Sequence, residues 1–291
     1  MKVKIGILGL GKLGRACIEQ IEKRSNEFEL VAVFSRRKLP GSIHISHIEK
    51  YRGKIDVFLV CVGSSTDAPL IVPTLAKMFS IVDSYDNHGK MQSYIELVSE
   101  GATATTAVVA TGWDPGIMSL MRIYFRAILP NGEHESYWGK GVSLGHTNAI
   151  KSIKGVQDAI QFTVPDFENK THIRECFVVA GEKDHVRIEK AIKTMPDYFA
   201  GYKTEVTFIS AEEFQSKYSN RHEHAGMVIA TNNNTNMEYK HSMESNPQFT
   251  ASIMLAYAKA NHALQKEKRF GCFTVADVAP KYLVEGVTQL L

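Results

Sequence analysis

The chain has 291 residues, of which 44% are hydrophobic and 22% charged, with a formal net charge of +3. That is the composition of an ordinary globular protein long enough for two cores, and its mild, dispersed charge argues against a nucleic-acid partner. No apolar run reaches membrane-spanning length, and Cys17, Cys61, Cys176 and Cys272 are scattered without a C-x-x-C pair, as expected of reduced core residues in a cytoplasmic protein without a targeting segment.

The N-terminal apolar run ends in Gly9-Leu10-Gly11-Lys12-Leu13-Gly14, and Leu13, Cys17 and Ile21 continue at helical spacing. Strand, tight turn and helix in that order give G-x-G-x-x-G the context of a dinucleotide site. Gly9 permits the turn, Gly11 lets the main chain approach a pyrophosphate, and Gly14 lets the helix pack closely on the strand. The phosphates would rest on free N–H groups at the start of the helix, about Lys12 and Leu13.

Further strands are expected over 29–34, 55–61, 80–83 and 105–110, with helices near 67–78 and 90–101. The alternation implies an α/β fold, a Rossmann-type parallel sheet with right-handed crossovers. Ligands bind at the carboxyl ends of such strands. Those ends carry Gly9 and Gly11, then Ser35-Arg36-Arg37, Gly63-Ser64-Ser65-Thr66, Asp83-Ser84-Tyr85-Asp86, and Thr111-Gly112-Trp113-Asp114-Pro115-Gly116. The glycine motif, the hydroxyl- and Arg-bearing ends and Asp83, Ser84 and Tyr85 are the expected cofactor contacts. At the end of the second strand, where NAD-binding folds place an acidic residue, this chain has Ser35, Arg36 and Arg37, which suit the 2′-phosphate of NADP. Asp86 and Asp114 are placed to hold a substrate ammonium group or accept its proton.

Beyond residue 118 strand-like runs at 175–179, 205–209 and 227–230 alternate with His- and Asn-rich loops, which predicts a second, α+β domain over 119–247. Trp138-Gly-Lys-Gly141-Val-Ser-Leu144-Gly145-His146 suggests main chain lining a small-molecule pocket. Arg174, leading into one apolar run, and His224, leading into another, suit a buried carboxylate clamp. His222-x-His224 lacks a third ligand, so no metal is expected. A long helix is expected from about 248 to 265 and a last strand over 273–278, with the segment 248–291 returning to the first domain, residues 1–118.

Tyr85-Asp86-Asn87-His88, Thr111–Gly116, Trp138-Gly-x-Gly-x-Ser-x-Gly-His146, Met195–Phe199 and Asn246-Pro-x-Phe249-Thr-Ala251 together resemble the meso-diaminopimelate dehydrogenases, in order and over nearly the whole chain. The resemblance implies a homodimeric, NADP-dependent enzyme of lysine and peptidoglycan precursor metabolism. Such an enzyme reversibly deaminates the D-configured centre of meso-2,6-diaminopimelate to L-2-amino-6-oxopimelate and ammonia. It assigns Asp86 and Asp114 to the reacting amino centre, leaving open which is the base, with Trp113, Trp138 and Leu144 walling the substrate. Thr163, Arg174 and His224 would grip the carboxylate of the L-configured centre, assisted by Gly145 and Asn246, and the second domain would also carry the dimer contact. Leu144 stands where other members can have Gln and Asn148 where they can have Asp, a less polar wall that suits a broader D-amino acid dehydrogenase. Related reductases of the same cofactor fold, such as the glucose–fructose oxidoreductases, would show Glu-Lys-Pro near Asp83-Ser-Tyr-Asp86. An NADP-sensing protein without turnover is the remaining alternative.

Overall fold

A computed structural model describes residues 2–64, 66–196 and 198–291, with only the backbone of Leu144. Two compact units are formed, one from Met1–Leu120 with Pro247–Leu291 and one from Met121–Asn246.

The first unit begins β1 (Val3–Leu8), α1 (Lys12–Lys23), β2 (Phe28–Ser35), β3 (Ile43–His44), β4 (Val57–Val60), α2 (Ala68–Ala76), β5 (Ile81–Asp83), α3 (Met91–Gly101) and β6 (Thr106–Val109). Helix α4 (Ile117–Ile128) contains the boundary. The second unit holds β7 (Glu133–Trp138), β8 (Gly141–Val142), α5 (Leu144–Lys151), β9 (Val156–Asp166), β10 (Thr171–Ala180), α6 (His185–Lys193), β11 (Lys203–Phe208), α7 (Ala211–Lys217), β12 (His224–Thr231) and β13 (Asn236–Met243). The chain then returns through α8 (Asn246–Lys266) and β14 (Gly271–Thr274).

The seven strands of the first unit pair in the order β14-β6-β5-β4-β1-β2-β3, all parallel. A sheet covered on both faces needs strands apolar on both sides, and these strands read as continuous apolar runs. Ile5, Ile7, Val57, Leu59, Val82 and Val108 point to one face, where they pack with Cys17 and Ile21 of α1 and Met254, Tyr257 and Leu264 of α8. Leu8, Phe34, Phe58, Val60, Ile81 and Val109 point to the other, against Val72 and Leu75 of α2 and Tyr94 and Val98 of α3. Asn261 of α8 is fully buried, and its amide donates to the carbonyls of Ile81 and Thr106, at 2.9 and 2.8 Å.

The second unit has a four-stranded sheet in the order β11-β10-β9-β8 and a three-stranded one in the order β13-β12-β7. All of their pairings are antiparallel except β10 with β11. The last strand ends earlier than the expected 273–278, because Asp277 turns back to accept from both the N–H and the hydroxyl of Thr274, each at 2.8 Å.

Gly14 sits where a Cβ would collide with the carbonyl oxygen of Gly9, so α1 meets β1 only because that atom is missing. Gly14→Ala is expected to cost about 1–3 kcal/mol by overpacking, read as a lower urea midpoint at unchanged slope. A midpoint equal to that of the parent protein would show that the contact relaxes freely.

Candidate active site

Register brings five strand ends of the first unit level. Leu8 pairs with Phe34 and Val60, Val60 with Asp83, and Val82 with Val108. The loops that begin at Gly9, Arg36, Cys61, Ser84 and Ala110 therefore leave one edge of one sheet.

At the first loop Gly9 has φ +105°, on the side that L side chains avoid, and its N–H donates to the carbonyl of Phe34 at 2.8 Å. Gly11 caps α1 without any side-chain hydrogen bond, and nothing lies within 4 Å of where its Cβ would stand. The first-turn N–H groups about Lys12 and Leu13 can thus be approached by an anion, in the way that helix starts receive phosphates.

Ser35 is buried and its Oγ accepts from the N–H of Arg37 at 3.1 Å, which fixes the turn carrying the two guanidinium groups. Both Arg36 and Arg37 are exposed, and Arg36 pairs with Asp67 at the start of α2. Gly63 takes the N–H groups of Asp67 and Ala68, both at 3.0 Å, on its carbonyl. Ser64 is half-buried and accepts from the N–H of Asp86 at 3.3 Å; Thr66 is exposed, and Ser65 lies outside the described residues. These loops can hold an extended dinucleotide with a 2′-phosphate.

Of the last expected cofactor contacts, Ser84 is half-buried, while Asp83 and Tyr85 are each 2% exposed. The Asp83 carboxylate is turned onto the protein's own donors, and the Tyr85 ring stacks on Tyr94 with centroids 3.7 Å apart. Their side chains serve the scaffold, leaving the main chain of this segment to face a ligand.

Asp86 is exposed at its loop, and Asp114 and Trp113 are half-buried in theirs. Asp114 accepts from Ser119 Oγ at 3.4 Å, and Ser119 in turn accepts from the N–H of Gly116 at 3.2 Å. Gly116 has φ +144° and a Cβ there would overlap the carbonyl of Gly112, so the Trp113–Asp114 turn is folded tightly on itself at the head of α4.

In the second unit, pairing puts Thr204, Arg174, Thr163 and Gly141 in one row across β11, β10, β9 and β8. Gly141 meets His224 so closely that a Cβ on it would collide with the His224 main chain. Arg174 is 7% exposed; its Nη1 donates to Thr163 Oγ1 at 2.7 Å and its guanidinium lies over the Tyr202 ring, 4.3 Å from the centroid. Burial pulls its pKa down, its Nε has no hydrogen-bond partner, and it forms no ion pair with a carboxylate among the described residues.

Three histidines lie in that field. His224 is buried with Nδ1 turned onto the main chain of Ala225 at 2.9 Å. His146 is hydrogen-bonded through Nδ1 to Ser143 Oγ at 2.6 Å. His172 accepts the N–H of Trp138 on Nε2 at 2.9 Å, with the two rings 5.0 Å apart. Burial first, with the Arg174 charge adding to it, holds all three at about 4, so all are neutral at pH 7. A buried positive charge beside a hydroxyl, with only neutral imidazoles within reach of its field, has the chemistry to take a carboxylate.

Gly145 is exposed with open space about it, Asn246 begins α8, and the side chain of Leu144 lies outside the described residues. His146, His172 and Tyr202 belong to this cluster and were not among the expected site residues. Only His146 carried a signal, its place beside the Gly-rich segment. Among the described residues no group of three or more His, Cys, Asp or Glu could hold a metal ion, and no helix is long and apolar enough to cross a membrane. A surface cavity of about 490 Å³, lined by Glu133, Glu135, Tyr137 and Lys170 among others, shares no lining residue with the cluster. Lys170 pairs with both glutamates there.

A family model, the diaminopimelic acid dehydrogenase C-terminal domain, matches residues 112–250. The meso-diaminopimelate D-dehydrogenase of Acetivibrio thermocellus is 45% identical over 316 residues, covering 97% of this chain and 94% of that protein. The solved structure of the Corynebacterium glutamicum diaminopimelate (DAP) dehydrogenase in complex with DAP superposes with a TM-score of 0.94 at 37% identity, covering 99% of this chain and 98% of that one. An engineered D-amino acid dehydrogenase bound to NADP+ superposes with a TM-score of 0.89 at 36% identity, covering 100% of this chain and 98% of that one.

The neutral histidines predict an acid limb. Their folded pKa values of about 4 lie below the ordinary 6.5, so the unfolded chain binds protons first. Stability should be full above the ordinary value and fall as pH drops toward the folded one, by on the order of a few kcal/mol. Melting temperatures between about pH 7 and pH 4.5 measure it. Arg174→Met should partly flatten that slope, and an equal slope in the variant would remove the guanidinium as a cause.

Proposed function

The chain belongs to the meso-diaminopimelate dehydrogenase family, and on that premise we propose that it deaminates the D-configured centre of meso-2,6-diaminopimelate reversibly with NADP, giving L-2-amino-6-oxopimelate and ammonia. The observation that carries the reading is Arg174, a buried guanidinium with no carboxylate of the chain against it among the described residues. A substrate carboxylate supplies the missing charge.

Thr163, Arg174 and His224 hold the carboxylate of the unreacting, L-configured centre, with Gly145 and Asn246 beside them. Trp113 in the first unit and Trp138 in the second are the apolar side chains that the family likeness assigns to the substrate, together with Leu144. The loops fit NADP: the open approach at Gly11, with the N–H groups about Lys12 and Leu13, suits the pyrophosphate, and Ser35, Arg36 and Arg37 suit the 2′-phosphate. Gly63, Ser64, Thr66, Ser84 and the main chain of Tyr85 line the rest of its length. When bound, NADP supplies the hydride acceptor.

Asp86 and Asp114 hold the ammonium group of the reacting centre as a pair. One of them takes a proton from it, so that the nitrogen lone pair can assist loss of hydride from the adjacent carbon. The same carboxylates then guide water onto the resulting imine, and ammonia leaves as the second product. The enzyme works as a cytoplasmic homodimer supplying lysine and peptidoglycan precursors. Exposed Ile123, Tyr124 and Ile128 on α4 support a partner surface on the second unit, and a solution mass twice that of the chain is the expected result.

The direct test is NADPH appearance at alkaline pH with meso-diaminopimelate beside its L,L and D,D isomers and D-alanine. Activity with the meso form alone is expected. Comparable turnover of D-alanine would make the enzyme a broad D-amino acid dehydrogenase, and silence with every substrate despite tight NADP binding would leave a sensor. Asp86→Asn and Asp114→Asn should each lower kcat, the true base by about 10²–10⁴-fold. Arg37→Ala should raise KM for NADP about tenfold or more while leaving that for NAD unchanged, and equal effects on both would dismiss the guanidinium as the phosphate contact.

A further inference from the structure

The loops bearing Asp86 and Asp114 leave neighbouring strands, β5 and β6, and a single buried residue ties them together. Asp83, 2% exposed, closes β5. Its Oδ1 accepts the main-chain N–H of Tyr85 at 3.1 Å on its own loop and of Ala110 at 3.0 Å on the neighbouring one. Its Oδ2 accepts the phenol of Tyr94, on α3, at 2.5 Å. Its carbonyl oxygen accepts the N–H and the hydroxyl of Thr111, at 2.9 and 2.8 Å. Five donors from two loops and a helix thus converge on one residue.

The donors are not incidental. Ala110 has φ +58°, a left-handed conformation that a residue with a Cβ adopts at a cost of about 1–2 kcal/mol. Such strain persists only where the surroundings over-determine it, and here the pinned N–H of Ala110 and both donors of Thr111 do so. Tyr85 is fixed twice, by its N–H and by its ring, which lies nearly parallel to that of Tyr94 at 9°. Asp86 follows Tyr85 directly and Asp114 comes three residues after Thr111. A shift of the knot therefore moves both carboxylates.

A contact with cofactor would need the Asp83 carboxylate turned outward, and its partners turn it in. Burial pushes its pKa up, the three donors oppose that rise, and the nearby negative charge of Asp86 adds to it.

We propose that Asp83 is a positioning residue, holding the main chains that carry Asp86 and Asp114 in register so that the two carboxylates act on one substrate centre. This rests on the deamination reading above. Asp83→Asn keeps the shape while removing the charge from the accepting bonds, and Tyr94→Phe removes one donor and keeps the carboxylate should the first variant fail to fold.

Hydrogen exchange by mass spectrometry and steady-state kinetics on the full chain with NADP test it. In Asp83→Asn, peptides covering 84–90 and 110–117 should exchange about tenfold faster or more while those of β1 and β2 keep their protection. The kcat with meso-diaminopimelate should fall about tenfold or more while KM for NADP stays within about twofold, since small displacements cost turnover steeply. Tyr94→Phe should move both readouts the same way by less. Unchanged exchange in the two segments, or equal loss across all strands, would overturn the inference. So would local loosening with parental kcat, or a rise in KM for NADP that accounts for the whole defect. A parent protein with no turnover would defeat the deamination reading, and the exchange pattern would still decide whether Asp83 holds the loops.

Discussion

A parallel sheet whose strands end level concentrates polar main chain along one edge, and most of the first unit follows from that constraint. Each strand releases its chain into a loop beside its neighbours' loops, because Leu8, Phe34, Val60 and Asp83 stand in register. The strands themselves cannot bear chemistry, since both of their faces are buried. The ionisable and glycine residues that can face a ligand gather at this edge. Once there, they must be held without a core of their own, and the chain does this with local devices: the missing Cβ of Gly14, the Ser35 hydroxyl under Arg37, and the inward carboxylate of Asp83.

The second unit solves a different problem. It keeps a guanidinium inside a mixed sheet, where the effective cost of burying a lone charge is on the order of several kcal/mol. Thr163 and the face of Tyr202 offset part of that cost, and no acidic side chain among the described residues cancels the charge. Burial first, and the Arg174 charge after it, keeps His146, His172 and His224 neutral. An acidic neighbour would make the unit more comfortable and would also compete with any incoming carboxylate.

This contrast explains how much could be seen in the sequence. The parallel sheet was legible because its strands are predominantly apolar and its turns carry glycine, Arg or Asp. The helix expected from 248 to 265 is observed as Asn246–Lys266. Strands β7, β9 and β13 escaped notice; β7 (Glu133-His-Glu-Ser-Tyr-Trp138) and β13 (Asn236-Met-Glu-Tyr-Lys-His-Ser-Met243) are edge strands rich in polar residues, and the apolar run of β9 is broken by Gln157, Asp158 and Gln161. Arg174 could be singled out by its place at the head of an apolar run. Its contact with Tyr202 could not, because that residue arrives on a turn before β11 and no local pattern marks it. Asp83 was visible as a strand-end acid, but the direction of its side chain is set by Tyr94 and Ala110, at sequence separations of 11 and 27.

Both units hold features that cost stability where they occur. A left-handed Ala110, a buried Asp83 and a buried Arg174 each oppose folding by about one to several kcal/mol. Full burial of an Ile, Leu or Phe side chain is worth about 1.5–3 kcal/mol, and Ile5, Ile7, Leu59, Phe58 and Ile81 are all fully buried in the sheet that carries the first two of these features. Phe199 and Ile150 do the same for the unit that carries Arg174. An aliphatic residue in place of Asp83 would leave the N–H groups of Tyr85 and Ala110 and the Tyr94 phenol without their acceptor, a cost of about 1–3 kcal/mol for each buried donor. The apolar cores are thus the condition under which such side chains can be kept where chemistry needs them.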